Sequence, residues 1–264
     1  MSQRLAFWKM SGAGNDFIVL DGRDVLPRPL RELAAALCPR RVAIGADGMM
    51  AVRPCAESSI EVEYANADGS LADFCGNGAR CAARFAVLRE MATSPLELKF
   101  PGRVVRAEVR TEDVEIETAR PRRLGRLAWA LPDGRAIEAT RVDAGVEHAV
   151  IAGEGPGLSL EVLREALDRQ QPAISSKVNL TLVRAGQRDE LHVRTHERGS
   201  GETLACGSGA MAAVALEPAA DEGIRRVVLP PAGVPLIVTL DPDRGPARLA
   251  GEARLVYQGV FTLR

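Results

Sequence analysis

Two cysteines stand at the start of segments that have the spacing of an α-helix. Cys75 opens the stretch CGNGARCAARFA, in which Ala79, Ala82 and Ala86 recur at helical intervals. This places Cys75 at a helix N-terminus, where free backbone N–H groups and the helix dipole favour negative charge and lower the pKa of a thiol. The stretch predicts a reactive thiolate beside an anion-binding turn. An inert, buried cysteine is the alternative that this stretch alone leaves open.

A second copy of the stretch favours the functional interpretation. Cys206 opens CGSGAMAAVAL and follows Cys75 by 131 residues (206 − 75). The same offset relates three further pairs: Asn66 and Glu197, Gly48 and Asn179, and Gly14 and Gly145. One offset shared across half of the chain predicts an internal duplication into two like halves.

Two opposed thiols suit the inversion of a chiral carbon. The Cα–H of an amino acid is a very weak acid, so inversion needs a base on one face of the carbon and an acid on the other. One cysteine as thiolate removes the proton, and the other as thiol returns one. Two helix N-termini can also bind the α-carboxylate and stabilise the charge that develops on it. The pattern therefore predicts a racemase or epimerase in which the two thiols titrate as a coupled pair.

Composition and charge exclude several classes of protein. The chain has 264 residues and a formal net charge of −1, so no long-range attraction to nucleic acid or to an anionic membrane is expected. Its longest apolar runs fall far short of the ~18–20 residues of a membrane-spanning helix. The first ten residues, MSQRLAFWKM, contain no hydrophobic signal core. We therefore expect a cytoplasmic protein that acts on a small molecule.

The other three cysteines are expected to be inert. The five cysteines form an odd set without a CxxC pair, which is untypical of a disulfide framework or of a zinc site. Cys38 follows an apolar helical run, Cys55 falls in a predicted loop, and Cys81 points elsewhere on the first cysteine helix. The lysines are scattered, and none has the context of a cofactor-binding lysine. We expect neither a metal nor a cofactor.

Alternating and periodic patterns predict many strands and few helices. The predicted strands are residues 4–8, 17–20, 44–52, 59–64, 96–100, 104–109, 114–117, 177–183 and 191–195. The predicted helices are residues 29–37, the two cysteine helices, and a helix capped by Ser159 that runs to Asp168. The helix after Cys206 is apolar on every side, so protein should enclose it. Many strands around one buried helix per half predict an α+β fold, with the crossover at residues 121–123.

The assembled motifs resemble those of the diaminopimelate epimerase family, whose members are two-cysteine, cofactor-independent amino-acid epimerases. The matching segments follow the family's order along nearly the whole chain. They are KMSGAGNDF (residues 9–17), NADGS (66–70), CGNGARC (75–81), KVN (177–179), HERGSGET (196–203) and ACGSGA (205–210).

The resemblance implies two pseudo-symmetric α+β domains, each a mixed, barrel-like sheet around a central helix. The domains would be residues 1–120 and 121–256, with the strand 257–264 returning to the first. The implied catalytic residues are Cys75, Cys206, His148 and Glu197. The implied substrate-binding residues are Asn15, Asn66, Gly76, Asn77, Asn179, Arg198, Gly207 and Ser208, with Arg198 as a bidentate carboxylate partner at the distal end of the substrate. Tyr257 matches a family dimer contact, so a homodimer is implied.

Two departures from the family pattern fall on substrate recognition. Val146 stands where the family commonly has an asparagine that serves the distal end of the substrate, and Gly48 replaces a polar residue, often glutamine. The resemblance implies epimerisation of LL- and meso-diaminopimelate in lysine and peptidoglycan biosynthesis. A racemase of another polar amino acid, such as histidine or a proline derivative, remains an alternative. So do two other classes: a thiol redox or anion-binding protein, and a duplicated paralogue that only binds amino acids.

Overall fold

The computed structural model describes residues 3–24, 26–153, 159–243 and 245–263. Within these ranges the protein is α+β and consists mostly of strands. The strands are β1 (Gln3–Gly12), β2 (Asn15–Asp21), β3 (Gly48–Ala56), β4 (Ser59–Asn66), β5 (Leu96–Phe100), β6 (Arg103–Val109), β7 (Val114–Thr118), β8 (Arg122–Ala130), β9 (Ala136–Asp143), β10 (Glu147–Ala152), β11 (Asn179–Ala185), β12 (Glu190–Glu197), β13 (Gly201–Thr203), β14 (Ile224–Leu229), β15 (Leu236–Leu240), β16 (Ala247–Gly251) and β17 (Arg254–Leu263). The helices are α1 (Leu30–Leu37), α2 (Gly76–Leu88), α3 (Leu160–Gln170), α4 (Pro172–Ser175), α5 (Gly207–Val214) and a 3₁₀ turn at Pro218–Asp221.

The chain divides into two compact units. Unit 1 comprises Met1–Glu117 and Ala250–Arg264, and unit 2 comprises Thr118–Leu249. Residues 250–256, which the sequence analysis assigns to the second domain, therefore lie with unit 1. None of the described helices has the length and apolar character that crossing a membrane requires.

The two units repeat one order of strand pairing. In unit 1 the pairs β1–β2, β2–β3, β3–β4, β4–β5 and β5–β6 alternate antiparallel and parallel. In unit 2 the pairs β9–β10, β10–β11, β11–β12, β12–β14 and β14–β15 alternate in the same way. The registers also agree, because Phe17 pairs with Gly48 and His148 pairs with Asn179, each 131 positions later. This shared register confirms the internal duplication.

One buried helix lies at the centre of each unit. In unit 1, α2 packs against β1, β2, β3, β5, β6 and β17. Its alanines at positions 79, 82, 83 and 86 are fully buried, and their small side chains let strands approach from several directions. In unit 2, α5 packs against β10, β11, β12 and β15, and its residues are buried all round from Gly209 to Val214. A helix without a polar face must be enclosed in this way, as the sequence predicts.

A second helix covers the outside of the sheet in each unit. In unit 1, α1 joins the parallel strands β2 and β3 and buries Leu30, Leu33 and Leu37 against β3 and β4. In unit 2, α3 lies between the parallel strands β10 and β11 and buries Leu163 and Leu167. Parallel neighbours need such a crossover connection. Each unit thus has its own apolar core under the crossover helix.

Strand β3 begins later than the sequence pattern predicts. The predicted strand covers residues 44–52, whereas β3 runs from Gly48 to Ala56. Residues 44–47 form an irregular connection instead, in which Ala46 belongs to the apolar core and the backbone N–H of Asp47 bonds to the carbonyl of Asp16. Cys55 is therefore an exposed residue at the end of a strand, not a loop residue, and a bulge in the pairing follows Pro54.

Equivalent glycines in the two central helices have different surroundings, which predicts different responses to alanine. A Cβ on Gly209 would clash with Oγ1 of Thr195, whereas a Cβ on Gly78 would meet Sδ of Met50 at 3.3 Å. We expect Gly209→Ala to lower the free energy of unfolding by ~1–3 kcal/mol through overpacking. We expect Gly78→Ala to stay within about 1 kcal/mol of wild type, because the helix propensity of alanine offsets the tighter contact. Equilibrium urea unfolding measures both values.

A double-mutant cycle provides the control for this prediction. Thr195→Ala removes the hydroxyl that obstructs the new methyl group, so Gly209→Ala should cost less in the Thr195→Ala protein than in wild type. Equal destabilisation by Gly209→Ala and Gly78→Ala would contradict the prediction.

Candidate active site

Cys75 and Cys206 are the N-cap residues of the two central helices. Their backbones are nearly identical, with φ −139° and ψ 118° at Cys75 and φ −130° and ψ 111° at Cys206. Each Sγ accepts a hydrogen bond of 3.4 Å from a backbone N–H in the first helical turn, that of Gly78 or Gly209. Each sulfur therefore lies at the positive end of a helix, where a thiolate is stabilised.

In unit 1, the turn between β1 and β2 is bonded to the first turn of α2. Ala13 and Gly14 form this two-residue turn with φ of 54° and 98°, values that a type I′ hairpin requires. Asn15, directly after the turn, accepts a hydrogen bond from the side-chain amide of Asn77 and donates to Oδ2 of Asp47 at 3.1 Å. The predicted binding residues Asn15 and Asn77 are thus brought together beside Cys75.

A group of charged side chains holds this turn in place. Asp16 forms ion pairs with Lys9 at 2.6 Å and with Arg40 at 2.5 Å, and Arg40 also pairs with Asp47 at 2.8 Å. Burial acts to raise the pKa of Asp16, but the hydrogen bonds and charges of Arg40 and Lys9 outweigh it and lower this pKa to about 2. Asp16 therefore stays ionised and keeps the network closed at neutral pH.

Asn66 and Gly48 are neighbours at the ends of β4 and β3. The two residues pair in the register of these strands, and the amide of Asn66 donates to Oγ of Ser70 at 3.0 Å. A Cβ on Gly48 would lie 2.6 Å from the ring of Tyr64 and 2.7 Å from its hydroxyl. The Tyr64 side chain therefore excludes any larger residue at position 48, which accounts sterically for the glycine at this departure from the family pattern.

In unit 2, a chain of hydrogen bonds leads from the interior to the cysteine. The Sγ of Cys206 lies 3.3 Å from the hydroxyl of Ser208, and that hydroxyl lies 2.9 Å from Nε2 of His148. Nδ1 of His148 lies 2.9 Å from the hydroxyl of Thr181, which is 3.2 Å from the hydroxyl of Thr195. This order places the imidazole of His148 between a buried threonine pair and the serine beside the thiol.

The imidazole of His148 is neutral at physiological pH. Burial, together with the positive charge of Arg198, lowers its pKa to about 3. A neutral imidazole has one N–H donor and one acceptor nitrogen. Both nitrogens have a hydroxyl partner, Thr181 or Ser208, and a hydroxyl can serve either role. His148 can therefore orient Ser208 and relay a proton without itself holding a charge.

Cys206 is in an environment that favours the neutral thiol. Burial raises its pKa above the ordinary value, and the negative charge of Glu197 raises it further, while the hydrogen bonds from Ser208 and Gly209 act in the opposite direction. Only 8% of Cys206 is exposed. The carboxylate of Glu197 is itself fixed, because it accepts a hydrogen bond of 2.7 Å from Thr203.

The remaining predicted residues of unit 2 cluster beside His148. Asn179 pairs with His148 in the β10–β11 register, and its side-chain oxygen accepts the backbone N–H of Arg198 at 3.0 Å. The guanidinium of Arg198 lies 3.4 Å from the carbonyl of Ser176. Val146 is in the turn before β10, with 36% of its surface exposed. Gly207 and Gly76 are the first residues of α5 and α2.

Tyr257 does not belong to either of these clusters. It lies in β17, its ring packs edge-to-face on Phe7 with centroids 6.0 Å apart, and 46% of its surface is exposed.

A cavity of about 250 Å³ in unit 2 is lined by residues 120–123, Ala215, Ala220 and Leu240, none of which is a predicted site residue. Among the described residues, no group of three or more His, Cys, Asp or Glu side chains is arranged to hold a metal ion.

Sequence reasoning missed three buried polar residues near the cysteines. Thr181 and Thr195 read as ordinary β-branched strand residues, and nothing in the strand pattern indicates that their hydroxyls meet. Arg80 had a detectable signal, because an arginine that interrupts the alanine-rich face of the first cysteine helix is unusual. All three are at most 2% exposed.

The neutral state of His148 predicts a pH dependence of stability. Its pKa is about 3 in the folded protein against 6.5 ordinarily, so the unfolded chain binds a proton that the folded chain does not. The contribution to the free energy of unfolding is complete above pH 6.5 and is lost as the pH falls towards 3, by up to about 1.4 kcal/mol per pH unit. Urea unfolding at pH 7, 6, 5 and 4 measures this slope.

His148→Gln is the comparison for this slope, because glutamine offers a donor and an acceptor but does not titrate. We expect a shallower loss of stability in this variant between pH 6.5 and 4. The contribution of Asp16, whose pKa is about 2, is complete above its ordinary value of 3.8 and is lost only below it, so this window is unaffected. Identical slopes for the two proteins would show that His148 is not buried in its neutral form.

Comparison with known proteins identifies the family. The family model described as diaminopimelate epimerase matches residues 7–124. An O-ureido-serine racemase from Streptomyces lavendulae is 34% identical, over 97% of this chain and 95% of the relative. A diaminopimelate epimerase from Xylella fastidiosa (strain M23) is 35% identical, over 97% of this chain and 96% of the relative.

The fold has counterparts among solved structures. A phenazine biosynthesis protein of the PhzF family from Bacillus anthracis superposes with a TM-score of 0.72 at 13% identity, over 98% of this chain and 99% of that one. At this level of identity the likeness concerns the fold alone. The identity to named epimerases and racemases over nearly the full length shows that this chain belongs to the diaminopimelate epimerase family and is an isomerase of the amino-acid epimerase and racemase class.

Proposed function

We propose that this enzyme inverts the Cα configuration of a polar α-amino acid by proton transfer between two cysteines, Cys75 and Cys206. The observation that supports this proposal most is the duplicated N-cap geometry. Each sulfur accepts a backbone N–H at 3.4 Å at the start of a buried helix, in two units with the same strand register. A helix N-terminus stabilises a thiolate, whereas a neutral structural cysteine gains no such stabilisation from this position.

In the proposed reaction, the thiolate of one cysteine removes the Cα proton while the thiol of the other delivers a proton to the opposite face. The first sulfur becomes a thiol, the second becomes a thiolate, and the C–H bond broken on one face is replaced by a C–H bond on the other. The reverse reaction exchanges the two roles. No redox equivalent and no cofactor enters this balance, and we propose that the enzyme uses none.

The substrate's α-carboxylate is proposed to bind at the helix N-termini. Gly76 and Asn77 in α2, and Gly207 and Ser208 in α5, present backbone N–H groups of the first helical turn. Such groups stabilise the additional negative charge that develops on the carboxylate as the Cα proton leaves. His148 is proposed to hold Ser208 in position.

Diaminopimelate is the first candidate substrate. The matching family model and the Xylella fastidiosa relative are both named diaminopimelate epimerase. Arg198 supplies a guanidinium that fits a second carboxylate in bidentate fashion. Asn179 fixes the backbone at Arg198, while Asn15 and Asn66 offer amides in unit 1. Glu197 is proposed to act near the reacting carbon. On this proposal the enzyme serves lysine and peptidoglycan biosynthesis.

A second candidate is a racemase of another polar amino acid. Val146 offers no hydrogen bond where the family has an asparagine, and Tyr64 excludes any side chain larger than glycine at position 48. Both changes alter positions proposed to take part in substrate recognition, and Val146 stands where the family's asparagine serves the distal end of the substrate. The relative from Streptomyces lavendulae, named an O-ureido-serine racemase, is about as similar to this chain as the diaminopimelate epimerases are.

The cellular compartment and the oligomeric state are proposed from the resemblance to the diaminopimelate epimerase family. We propose that it is a cytoplasmic homodimer in which Tyr257, on β17, lies at the contact between subunits. The exposure of its ring is compatible with this role. A small amino acid is the only proposed partner besides the second copy of the chain.

Removal of either cysteine tests the two-base reaction. We expect Cys75→Ala and Cys206→Ala each to reduce racemisation by at least ~10²–10⁴-fold, because each removes one acid–base group. Exchange of Cα hydrogen for deuterium in D₂O, followed by chiral separation of the products, measures the reaction. Cys55→Ala, at the exposed end of β3, is the matched control and should leave the rate unchanged. Full activity in either of the first two variants would exclude the mechanism.

A substrate panel distinguishes the two candidates. LL-diaminopimelate, O-ureido-L-serine, L-histidine and L-proline are each incubated with the enzyme in D₂O, and deuterium at Cα is followed by mass spectrometry. We expect the fastest incorporation with LL-diaminopimelate, because Arg198 can pair with its second carboxylate. Faster incorporation with O-ureido-L-serine would overturn the first candidate and support the second. Incorporation into none of the four would contradict the first candidate and would exclude the other three amino acids as substrates of the second.

A further inference from the structure

Arg80 in α2 is a buried cation whose hydrogen bonds are incomplete. Its exposure is 0%, and one Nη donates to the side-chain oxygen of Asn77 at 2.8 Å. Its Nε and its other Nη have no hydrogen-bond partner among the described residues. Burial lowers the pKa of the guanidinium, yet an arginine stays protonated in proteins. A buried charge of this kind is costly unless an opposite charge lies near.

The acidic groups that act on the charge of Arg80 include two thiols and two carboxylates, and each carboxylate also lies near another arginine. In decreasing order of effect the four are Cys81, Cys75, Asp113 and Glu252. The carboxylate of Asp113 lies 3.9 Å from Arg110, and that of Glu252 lies 2.6 Å from Arg254. Each carboxylate therefore has an arginine other than Arg80 within 4 Å, although Arg110 also pairs with Glu108 and Glu115 at 2.8 and 2.9 Å.

The two thiols differ in whether they can ionise. Cys81 is fully buried, and burial raises its pKa to about 12 despite the opposing charges of Arg80 and Arg84, so it remains a thiol. Cys75 is only partly buried and accepts the N–H of Gly78 at the helix N-terminus. Cys75 is therefore the group near Arg80 whose ionisation the buried charge can decide.

Unit 2 has no such cation at the equivalent position. The residue 131 positions after Arg80 is Met211, whose Sδ lies 2.9 Å from the hydroxyl of Thr118. The charged group that acts on Cys206 is instead the carboxylate of Glu197. Arg80 in α2 thus acts on Cys75 with a positive charge, whereas Glu197 at the end of β12 acts on Cys206 with a negative charge.

We propose that Arg80 is a positioning residue that makes Cys75 the thiolate of the resting enzyme and leaves the mobile proton on Cys206. It acts on Cys75 through its charge, and it holds Asn77 at the start of the helix through its hydrogen bond. The inference rests on the proposed function, in which the two cysteines form an acid–base pair. It adds that the two halves of the pair are not equivalent before substrate binds.

The test measures thiol ionisation and needs no substrate. Alkylation of Cys75 by iodoacetamide is followed from pH 5 to 10 by peptide mass spectrometry, in the Cys206→Ala protein so that the two thiols do not titrate together. We expect Cys75 to ionise below the ordinary value of about 8.5 for a free cysteine. Arg80→Met, which copies the residue of the other half, should raise this pKa by at least about one unit and slow alkylation at pH 7 on the order of tenfold.

Two further variants separate charge from structure. Arg80→Lys retains a positive charge and should recover part of the lost reactivity. Arg84→Met removes an arginine one turn further along α2, whose guanidinium bonds to the carbonyls of Asp113 and Ala253, and should leave the profile of Cys75 near that of the parent protein. An unchanged profile in folded Arg80→Met, or an equal shift in Arg84→Met, would overturn the inference.

A comparison without any change at Arg80 covers the case in which Arg80→Met fails to fold. The alkylation profile of Cys75 in Cys206→Ala is set beside that of Cys206 in Cys75→Ala. We expect Cys75 to ionise at the lower pH, and the reverse order would overturn the inference. If Arg80→Met shifts the alkylation profile of Cys75 but the wild-type enzyme shows no racemase activity, the proposed function is refuted while the electrostatic effect of Arg80 is established.

Discussion

The hydrogen bond from a backbone N–H to the cysteine sulfur at each helix N-cap is the constraint on which the rest of the structure depends. A helix of eight to thirteen residues can present that N–H group only if strands enclose it and fix where it begins. Small side chains along α2 and α5 allow this enclosure, since alanine and glycine let strands approach closely. In each unit the enclosing strands thus hold one sulfur atom at the start of the central helix.

Duplication preserved this backbone and changed the chemistry around it. Strand order and register are the same in both units, yet His148 and Thr181 occupy the positions that Phe17 and Met50 have in unit 1. One cysteine is therefore followed by a hydrogen-bonded chain of hydroxyl and imidazole groups. The other has an asparagine and a buried arginine nearby. The two-base reaction proposed above would use this difference, because it needs an acid and a base at the same time.

The two departures from the family pattern, Gly48 and Val146, lie outside the cysteine helices. Tyr64 fills the space beside Gly48, so the glycine is a steric requirement of this chain rather than a simple deletion of a polar group. Val146 adds apolar surface in the turn before β10. Membership of the family consequently defines the type of reaction more narrowly than it defines the amino acid that reacts.

Sequence alone determined the features that local patterns encode: the duplication at one offset, the two cysteines at helix starts, the Ser159 cap of α3 and the enclosed apolar helix α5. These follow from periodicity and capping, which depend on residues close together in the chain. Only the tertiary structure decided the meeting of Thr181 with Thr195, the neutral state of His148 and the incomplete hydrogen bonding of Arg80. Burial and long-range hydrogen bonds depend on which distant residues the sheet brings together, and no local pattern records that. The late start of β3 has the same cause, because the connection before it bonds to residues more than thirty positions earlier.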